Sequence, residues 1–202
     1  MYIVKLECFR GRTREYCDPE SGEEYFSCSQ LLHVLAPDLF SRVHYQTLEL
    51  ARQRGVDLHK YFFYALASHG RFTHSIPKHL AVGWEGYQRA ILRFIAEWDP
   101  IPLLLEESSR DRKRGVGGTP DAKCIVRSKI ALIDLKTGQP DRLHAVQANI
   151  YRRFEEYKDV QEMRTLYIRS DGSYDFPRLY RDPLHEAAAD NALNILNWRQ
   201  AA

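Results

Sequence analysis

Apolar positions recur with a helical period through much of the first half of the chain. The pattern over residues 45–68 predicts a long helix whose apolar face consists of Leu48, Ala51, Leu58, Phe62, Ala65 and Leu66. A second amphipathic helix is predicted from about Trp84 to Trp98, and Asp99 and Pro100 end it. The middle of the chain should therefore be helical.

Two strands and a short helix are predicted ahead of these helices. The first 18 residues have the pattern of a strand, a Gly-Arg turn and a second strand, which predicts a hairpin. The segment "SCSQLLHVLA" predicts a short helix that begins at a serine cap and ends at Pro37. These patterns indicate no function for residues 1–44.

From residue 101 the pattern changes to strands with helices between them. The segments "IPLLLEE", "DAKCIVR" and "KIALIDLK" predict three strands, and the last two form a tight hairpin. Asp141 can cap a helix that runs to about Lys158, and "EMRTLYIR" predicts the next strand. A last helix is predicted from about residue 182 to 199, with core positions at Leu184, Leu193, Leu196 and Trp198. This order predicts an α/β fold with one central mixed β-sheet flanked by helices.

Length and composition favour a single globular domain. The chain has 202 residues, is 44% hydrophobic and 28% charged, and contains no apolar stretch long enough to span a bilayer, so no membrane contact is expected. We divide the domain into a hairpin and helix (residues 1–44), a helical cap (residues 45–100) and an α/β core (residues 101–202). The short N-terminal apolar run is no signal peptide and predicts a cytoplasmic protein, and four cysteines without a C-x-x-C pair predict reduced thiols.

The predicted hairpin carries charged residues where core residues are expected. In "IALIDLK" alternate side chains share a face, so Asp134 and Lys136 point the same way. If the hairpin closes through Ser128-Lys129, Asp121 lies opposite Lys136 on that face, whereas a loop of odd length would turn it away. The register thus predicts a cluster of two carboxylates and one ammonium group.

Such a cluster suits phosphodiester hydrolysis. Two neighbouring carboxylates in a partly buried site repel unless a cation lies between them. Aspartate oxygens and the backbone carbonyl of Leu135 suit Mg²⁺ or Mn²⁺, and Lys136 would contact a phosphate oxygen or help to activate a water. An isolated D-x-K is typical of a surface ion pair, so the hairpin-spaced Asp121 is what favours catalysis.

Two further features place polar side chains on apolar helix faces. His59 lies on the inward face of the long helix, and Gly55, one turn earlier, is expected to clear space beside it. Gln147 and Tyr151 are four residues apart on the helix after the hairpin and share its apolar face. Taken singly, each of these residues is typical of core packing.

The order of these motifs resembles a known family. The segments "RGVDLH", "LLLEE", "GGTPD", "IDLKTG" and "QANIY" follow one another between residues 45 and 170. Together they resemble the PD-(D/E)XK nuclease superfamily, in its RecB-like and phage-exonuclease-like branch. The resemblance implies a restriction-endonuclease-like core.

The resemblance also implies roles for single residues. It implies that the metal ligands are His59, Asp121, Asp134 and the carbonyl of Leu135. Lys136 would position or activate the attacking water. Gln147 and Tyr151 would orient the site and the DNA strand. A glutamate of "LLLEE" would join the catalytic residues, and we prefer Glu106 to Glu107.

The implied activity is that of a Mg²⁺- or Mn²⁺-dependent deoxyribonuclease whose products carry 5′-phosphates. An exonuclease of DNA recombination, DNA repair or phage DNA processing, acting on single- or double-stranded DNA, is the first interpretation. A structure-specific or restriction-like endonuclease and a catalytically inactive nucleic-acid-binding protein are the alternatives. A recombination protein or a second copy of the chain would be the partner. No iron–sulfur cluster is expected, because no cysteine follows Cys124.

Basic and aromatic residues predict where a polyanion would bind. The net charge of +2 excludes a histone-like binder driven by charge alone. We interpret two basic loops as DNA-backbone contacts. The first contains Arg10, Arg12 and Arg14, and the second contains Arg110, Arg112, Lys113 and Arg114. The residues predicted to stack on unpaired bases are Tyr61, Phe63 and Tyr64. A zinc site is a third alternative, against which the irregular spacing argues, formed by His69, His74 and His79.

Overall fold

A computed structural model describes residues 7–10, 13–18, 21–38, 41, 43–69 and 83–201. Its strands are β1 Glu7–Arg10, β2 Thr13–Cys17, β3 Glu24–Ser27, β4 Ile101–Leu105, β5 Ser109–Asp111, β6 Val116–Gly118, β7 Ala122–Val126, β8 Lys129–Lys136, β9 Glu162–Ile168, β10 Tyr174–Asp175 and β11 Arg178–Leu179. Its helices are α1 Cys28–Leu35, α2 Tyr45–His69, α3 Glu85–Trp98, α4 Arg142–Tyr151 and α5 Pro183–Gln200. None of these described helices is long and apolar enough to cross a membrane.

The strands form two mixed sheets with helices packed around them. The first sheet has the order β1-β2-β3-β6-β5, and β3 and β6 are its parallel pair. The second has the order β10-β9-β8-β7-β4, with β11 also paired to β9 and with β8 and β9 parallel. The predicted α/β class with mixed strands and flanking helices is confirmed. The prediction of one sheet is wrong, because the basic Gly-rich loop forms the β5–β6 hairpin and pairs with β3.

The predicted N-terminal elements are present. β1 and β2 pair as an antiparallel hairpin. α1 begins after Ser27, whose hydroxyl accepts the Gln30 N–H at 3.1 Å, while the Ser27 N–H donates to the Gln30 side chain at 2.6 Å. The two helices predicted in the middle of the chain are confirmed as α2 and α3, and Asp99 is the last cap residue of α3.

The six-stranded part of the fold lies between two helical layers. On one face, α2 and α3 pack against Ile133 and Leu135 of β8. On the other face, α1, α4 and α5 form a second core that includes Leu132. Because side chains alternate along a strand, Asp134 and Lys136 fall on the side of α1 and α4.

Two predicted helices differ from the structure in detail. α4 ends at Tyr151 and not near Lys158, because Phe154 takes an extended backbone (φ −65°, ψ 151°) that carries its ring into the core. Leu184 and Trp198 of α5 were predicted to be core residues, but they are 75% and 72% exposed. α5 instead packs against α1 and α4 through a narrow face of small residues, with Leu196 partly covered and with buried positions at Ala189, Ala192 and Leu193.

Gly117 and Gly118 mark a close approach between β6 and its neighbours. A Cβ added at Gly118 would lie 2.7 Å from Tyr151 Cε1 and 3.1 Å from Phe154 Cε2. A Cβ added at Gly117 would lie 2.7 Å from Tyr16 Cβ. The two glycines are therefore required by packing and not by a flexible loop.

Replacing Gly118 by alanine is expected to lower the free energy of unfolding by about 1–3 kcal/mol, because the added methyl must displace two buried rings. Urea denaturation followed by circular dichroism measures the change. Gly138→Ala is the control, because an added Cβ there meets no atom within 4 Å. Equal unfolding midpoints for the two variants would contradict the close packing at Gly118.

Candidate active site

The β7–β8 hairpin turns at Arg127-Ser128, one residue earlier than predicted. Both turn residues have positive φ, 47° and 66°, as a type I′ turn requires. Val126 pairs with Lys129, which belongs to the strand and binds Glu162 of β9 at 2.7 Å. The predicted loop length of two residues is confirmed, but its position is not.

This register brings Asp121 level with Asp134. Ala122 opposes Ile133, so Asp121, one residue before β7, reaches Asp134 and not Lys136 as predicted. The shift amounts to two residues on β8, and a shift by an even number leaves every side chain on its original face. The two carboxyl groups therefore share one face, as the parity argument predicted.

Asp121 connects the hairpin to α2. Its Oδ2 atom accepts the Leu135 N–H at 2.6 Å and lies 3.3 Å from His59 Nε2. His59 Nδ1 lies 2.7 Å from the Gly55 carbonyl oxygen, so the imidazole is held between two acceptors. The space that Gly55 was expected to clear is not filled by the protein, since an added Cβ would meet no atom within 4 Å. What Gly55 contributes is its carbonyl.

Asp134 and Lys136 form the second ion pair of the site. Lys136 Nζ lies 2.8 Å from Asp134 Oδ2. Asp134 is only 2% exposed, whereas the lysine reaches the wall of a cleft. The pair thus joins a buried carboxyl group to an accessible ammonium group.

The four charged groups shift one another's pKa values. Burial lowers the pKa of His59, but the Asp121 carboxylate outweighs burial and raises it to about 9. Burial raises the pKa of Asp121, but His59 outweighs burial and leaves it lowered. Burial lowers the pKa of Lys136, yet Asp134 and Asp121 leave it raised. The pKa of Asp134 is raised by burial and by Asp121, against the opposing effect of Lys136. Two cations thus face two carboxyl groups.

The donor chemistry of the site fits a hard divalent cation. Asp121 and Asp134 offer carboxylate oxygens beside the His59 imidazole, and oxygen donors suit Mg²⁺ and Mn²⁺. In the structure these donors are bonded within the two ion pairs. Within the described part of the chain, no group of three or more His, Cys, Asp or Glu side chains is arranged to hold a metal ion. The predicted metal ligands, with the carbonyl of Leu135, therefore stay a prediction.

Glu106 and Glu107 have different surroundings. Glu106 has a φ of 46°, and its N–H donates to the Asp121 carbonyl at 2.9 Å. Glu106, His59 and Asp121 line a common cavity of about 350 Å³. The pKa of Glu107 is raised by burial and by the nearby Glu156. Of the two glutamates, the structure therefore brings Glu106 to the site.

α4 adds Gln147 and Tyr151, and α1 adds a residue that sequence reasoning missed. Gln147 Nε2 donates to Tyr151 Oη at 3.1 Å. Cys28, the first residue of α1, lies near Tyr151 and Asp134, and burial followed by Asp134 raises its pKa. No motif indicated this contact, because it joins segments far apart in the chain. Part of residues 1–44 therefore borders the site.

A cleft of about 650 Å³ opens beside the ion pairs, between α1, α2, α4 and the end of β8. The polar groups in its walls include His33, Arg54, His59, Lys136, His144 and Gln147. His59 also lines the smaller cavity, so the ion pairs lie where the two cavities meet. Cations and hydrogen-bond donors of this kind suit a phosphate-bearing ligand. His33, Arg54 and His144 were not predicted, since no motif distinguished them.

His144 contributes a neutral side chain to this cleft. Its pKa is lowered to about 4, by burial and then by Lys136. Its Nδ1 atom accepts the Asp141 N–H at 3.3 Å, which also confirms Asp141 as the cap of α4. The positive charge at this wall therefore comes from Lys136 and not from His144.

The arginines of the second predicted basic loop form ion pairs with carboxylates of the protein. Arg110 is buried and binds Asp18 at 3.1 Å. Arg114 binds Asp111 at 3.0 Å, whereas Arg112 and Lys113 are exposed. Arg112 lies 3.4 Å from a Glu155 oxygen. A DNA contact by these four residues stays a prediction.

Other predicted contacts fall outside the site or outside the described residues. Of the first predicted basic loop, Arg10 and Arg14 belong to β1 and β2, whereas Arg12 lies outside the described residues. Two of the histidines of the zinc alternative, His74 and His79, also lie outside them. The third, His69, binds Asp99 through Nε2 at 2.7 Å. Of the aromatic residues predicted to stack on bases, Tyr61 is part of the core, and Phe63 and Tyr64 are half-buried.

Comparisons with known proteins give a likeness to solved structures alone. No family model matches the sequence, and no curated protein matches it. The chain is similar to the crystal structure of an alkaline exonuclease from Laribacter hongkongensis, with 19% identity, 87% of each chain covered and a TM-score of 0.49. It is also similar to that exonuclease in complex with dAMP, with 19% identity, 87% of each chain covered and a TM-score of 0.46. At these values the likeness assigns no residue and no activity.

Proposed function

We propose that the protein is a metal-dependent DNA nuclease of the PD-(D/E)XK type, and that it acts as an exonuclease leaving 5′-phosphates. The proposal rests on one observation: two ion pairs, His59–Asp121 and Asp134–Lys136, lie next to each other beside the two cavities. The proposal includes a role in DNA recombination, DNA repair or phage DNA processing.

A purely structural role explains this cluster poorly. Taking charges out of water costs free energy, and buried ion pairs are often no more stabilising than apolar residues of the same volume. Four ionisable groups with shifted pKa values beside a cleft are instead typical of a catalytic site. Gln147 and Tyr151 add hydrogen-bonding groups next to them.

The roles of the side chains follow from their positions. Asp121 and Asp134, with His59 and the Leu135 carbonyl, would hold Mg²⁺ or Mn²⁺, which when bound supplies positive charge at the phosphate and lowers the pKa of a water. Lys136 Nζ lies 2.8 Å from Asp134 Oδ2 and reaches the wall of the cleft. It would donate a hydrogen bond to a phosphate oxygen and stabilise the charge that develops there, or help to activate the attacking water.

The cavities suit one strand of DNA near the site. Volumes of about 350 and 650 Å³ are typical of pockets for small ligands, and each is large enough for a nucleotide. Glu106 would join the catalytic residues, and His33 and Arg54 would contact the nucleotides on either side of the cleaved bond.

The test is incubation with linear single- and double-stranded DNA, labelled at the 5′ or the 3′ end, beside a closed circle. We expect Mg²⁺ or Mn²⁺ to support digestion of linear DNA to 5′-phosphorylated products, EDTA to stop it, and the circle to resist. Cleavage of the circle would identify an endonuclease. DNA binding in EDTA without cleavage in either metal would identify an inactive binding protein.

A further inference from the structure

α4 separates the candidate active site and its two cavities from a third cavity, which is lined mainly by basic residues. Gln147 and Tyr151 lie on the active-site face of the helix. Asn149, Arg152 and Arg153 follow on the opposite face and just beyond the last turn, where they line a cavity of about 230 Å³. The remaining lining residues are Arg114, Lys158, Arg181 and Glu186. We call it the basic cavity.

Carboxylates of α5 hold three of the five cations in place. Asp190 binds Arg153 at 2.6 Å and Arg114 at 3.2 Å. Glu186 binds Arg181 and lies 3.7 Å from an Arg153 nitrogen. Because these guanidinium groups are already oriented, a ligand that binds them need not order their side chains.

The other two cations supply charge that is not neutralised in this way. For Arg152 and Lys158, no carboxylate of the described residues lies within ion-pair distance, and Glu186 acts on Arg152 only through space. The cavity therefore has a local excess of positive charge. Arginine groups in such an arrangement match the geometry of phosphate oxygens.

We propose that the basic cavity binds backbone phosphates of the DNA strand at a distance from the bond that is cleaved. The proposal rests on the proposed function. Its volume admits phosphate groups but not a base pair, and it lies about one helix diameter, roughly 10–12 Å, from the site. A strand that leaves the site around the end of α4 reaches the cavity within a few nucleotides. The cavity contributes binding affinity and fixes the position of the strand along the protein, and the active site cleaves the bond.

The test is binding of a fluorescent single strand of about 20 nucleotides in EDTA, by anisotropy at several salt concentrations. For Arg152→Glu/Lys158→Glu we expect about tenfold or greater loss of affinity, and a slope of log K against log salt that is less steep by roughly 1.4. Arg89→Glu/Arg199→Glu makes the same change of charge at exposed positions on α3 and at the end of α5. This control should bind like the wild type.

The outcomes separate this inference from the proposed function. Unchanged affinity in the cavity variant, or equal loss in the control, overturns the inference and leaves the nuclease proposal standing. A second measurement records the melting temperature with and without inorganic phosphate. Loss of a phosphate-dependent rise in the cavity variant, with strand affinity unchanged, would assign the cavity to free phosphate and overturn the strand contact. A wild type that neither binds nor cleaves DNA overturns the proposed function.

Discussion

Asp134→Asn and Lys136→Met are each expected to lower metal-dependent cleavage of linear DNA by at least about 10³-fold. Asp134 is a buried carboxyl group 2.8 Å from Lys136, and each substitution removes a charge beside the place of the scissile phosphate. The measurement is single-turnover cleavage of end-labelled linear DNA in Mg²⁺ and in Mn²⁺. Circular dichroism at the assay temperature shows that each variant is folded.

Lys129→Met is the matched control for Lys136→Met. Lys129 lies on the same strand, but at its other end, where its ammonium group binds Glu162. We expect this variant to digest DNA like the wild type. Digestion at a near-normal rate by either Asp134→Asn or Lys136→Met would refute the proposed mechanism, whatever the control does.

The second large effect is on stability. Lys136→Met should lower the free energy of unfolding by about 3–5 kcal/mol, because it leaves the buried Asp134 carboxyl group without its cation. His59 would then face two carboxyl groups alone. The double variant Asp134→Leu/Lys136→Met removes both partners and should lose much less stability, since apolar side chains replace a pair whose burial is itself costly.

Urea denaturation of the wild type, of the single variants Asp134→Leu and Lys136→Met, and of the double variant gives the coupling free energy. Lys129→Met again shows the cost of losing an exposed lysine. We expect a coupling of several kcal/mol between Asp134 and Lys136. Additive effects would mean that the pair is no stronger than a surface ion pair, for which about 0–1 kcal/mol is typical.

The elements of the fold follow from local patterns in the sequence. The helical period of residues 45–68 and of the segment that ends at Asp99 was sufficient to predict α2 and α3. Ser27 and Asp141 were sufficient to predict where α1 and α4 begin, because a cap bonds only to its own helix. The end of α4 was not predictable in this way, because burial of Phe154 in the shared core decides it.

Part of the candidate site was also predictable. Alternation along β8 puts Asp134 beside Lys136, and an even loop puts Asp121 on the same face, wherever the turn begins. His59 was identified by its inward position on α2. Alternation along the strand allows only one of Glu106 and Glu107 to face inward and does not decide which; the cavity that Glu106 shares with His59 agrees with the preference for Glu106.

The errors arose where contacts cross between distant segments. Arg110 is buried against Asp18, which belongs to the N-terminal part of the chain, and no local pattern indicated this ion pair. Leu184 and Trp198 have the spacing of core residues but are exposed, whereas the predicted core residue Leu193 is buried together with Ala189 and Ala192. A single sheet was expected, because nothing local indicates that β3 would pair with β6.

The sequence by itself determined the helices and most of the strands, and it determined the common face of Asp121, Asp134 and Lys136. These features depend on backbone periodicity, on an even hairpin loop and on neighbours a few residues away, so they can be derived without knowledge of the tertiary contacts. Only the tertiary structure decided which cations meet which carboxylates, that Cys28 borders the site, and that a basic cavity lies behind α4. Those contacts join side chains from different elements, and their free energies depend on burial and distance, which no local pattern specifies.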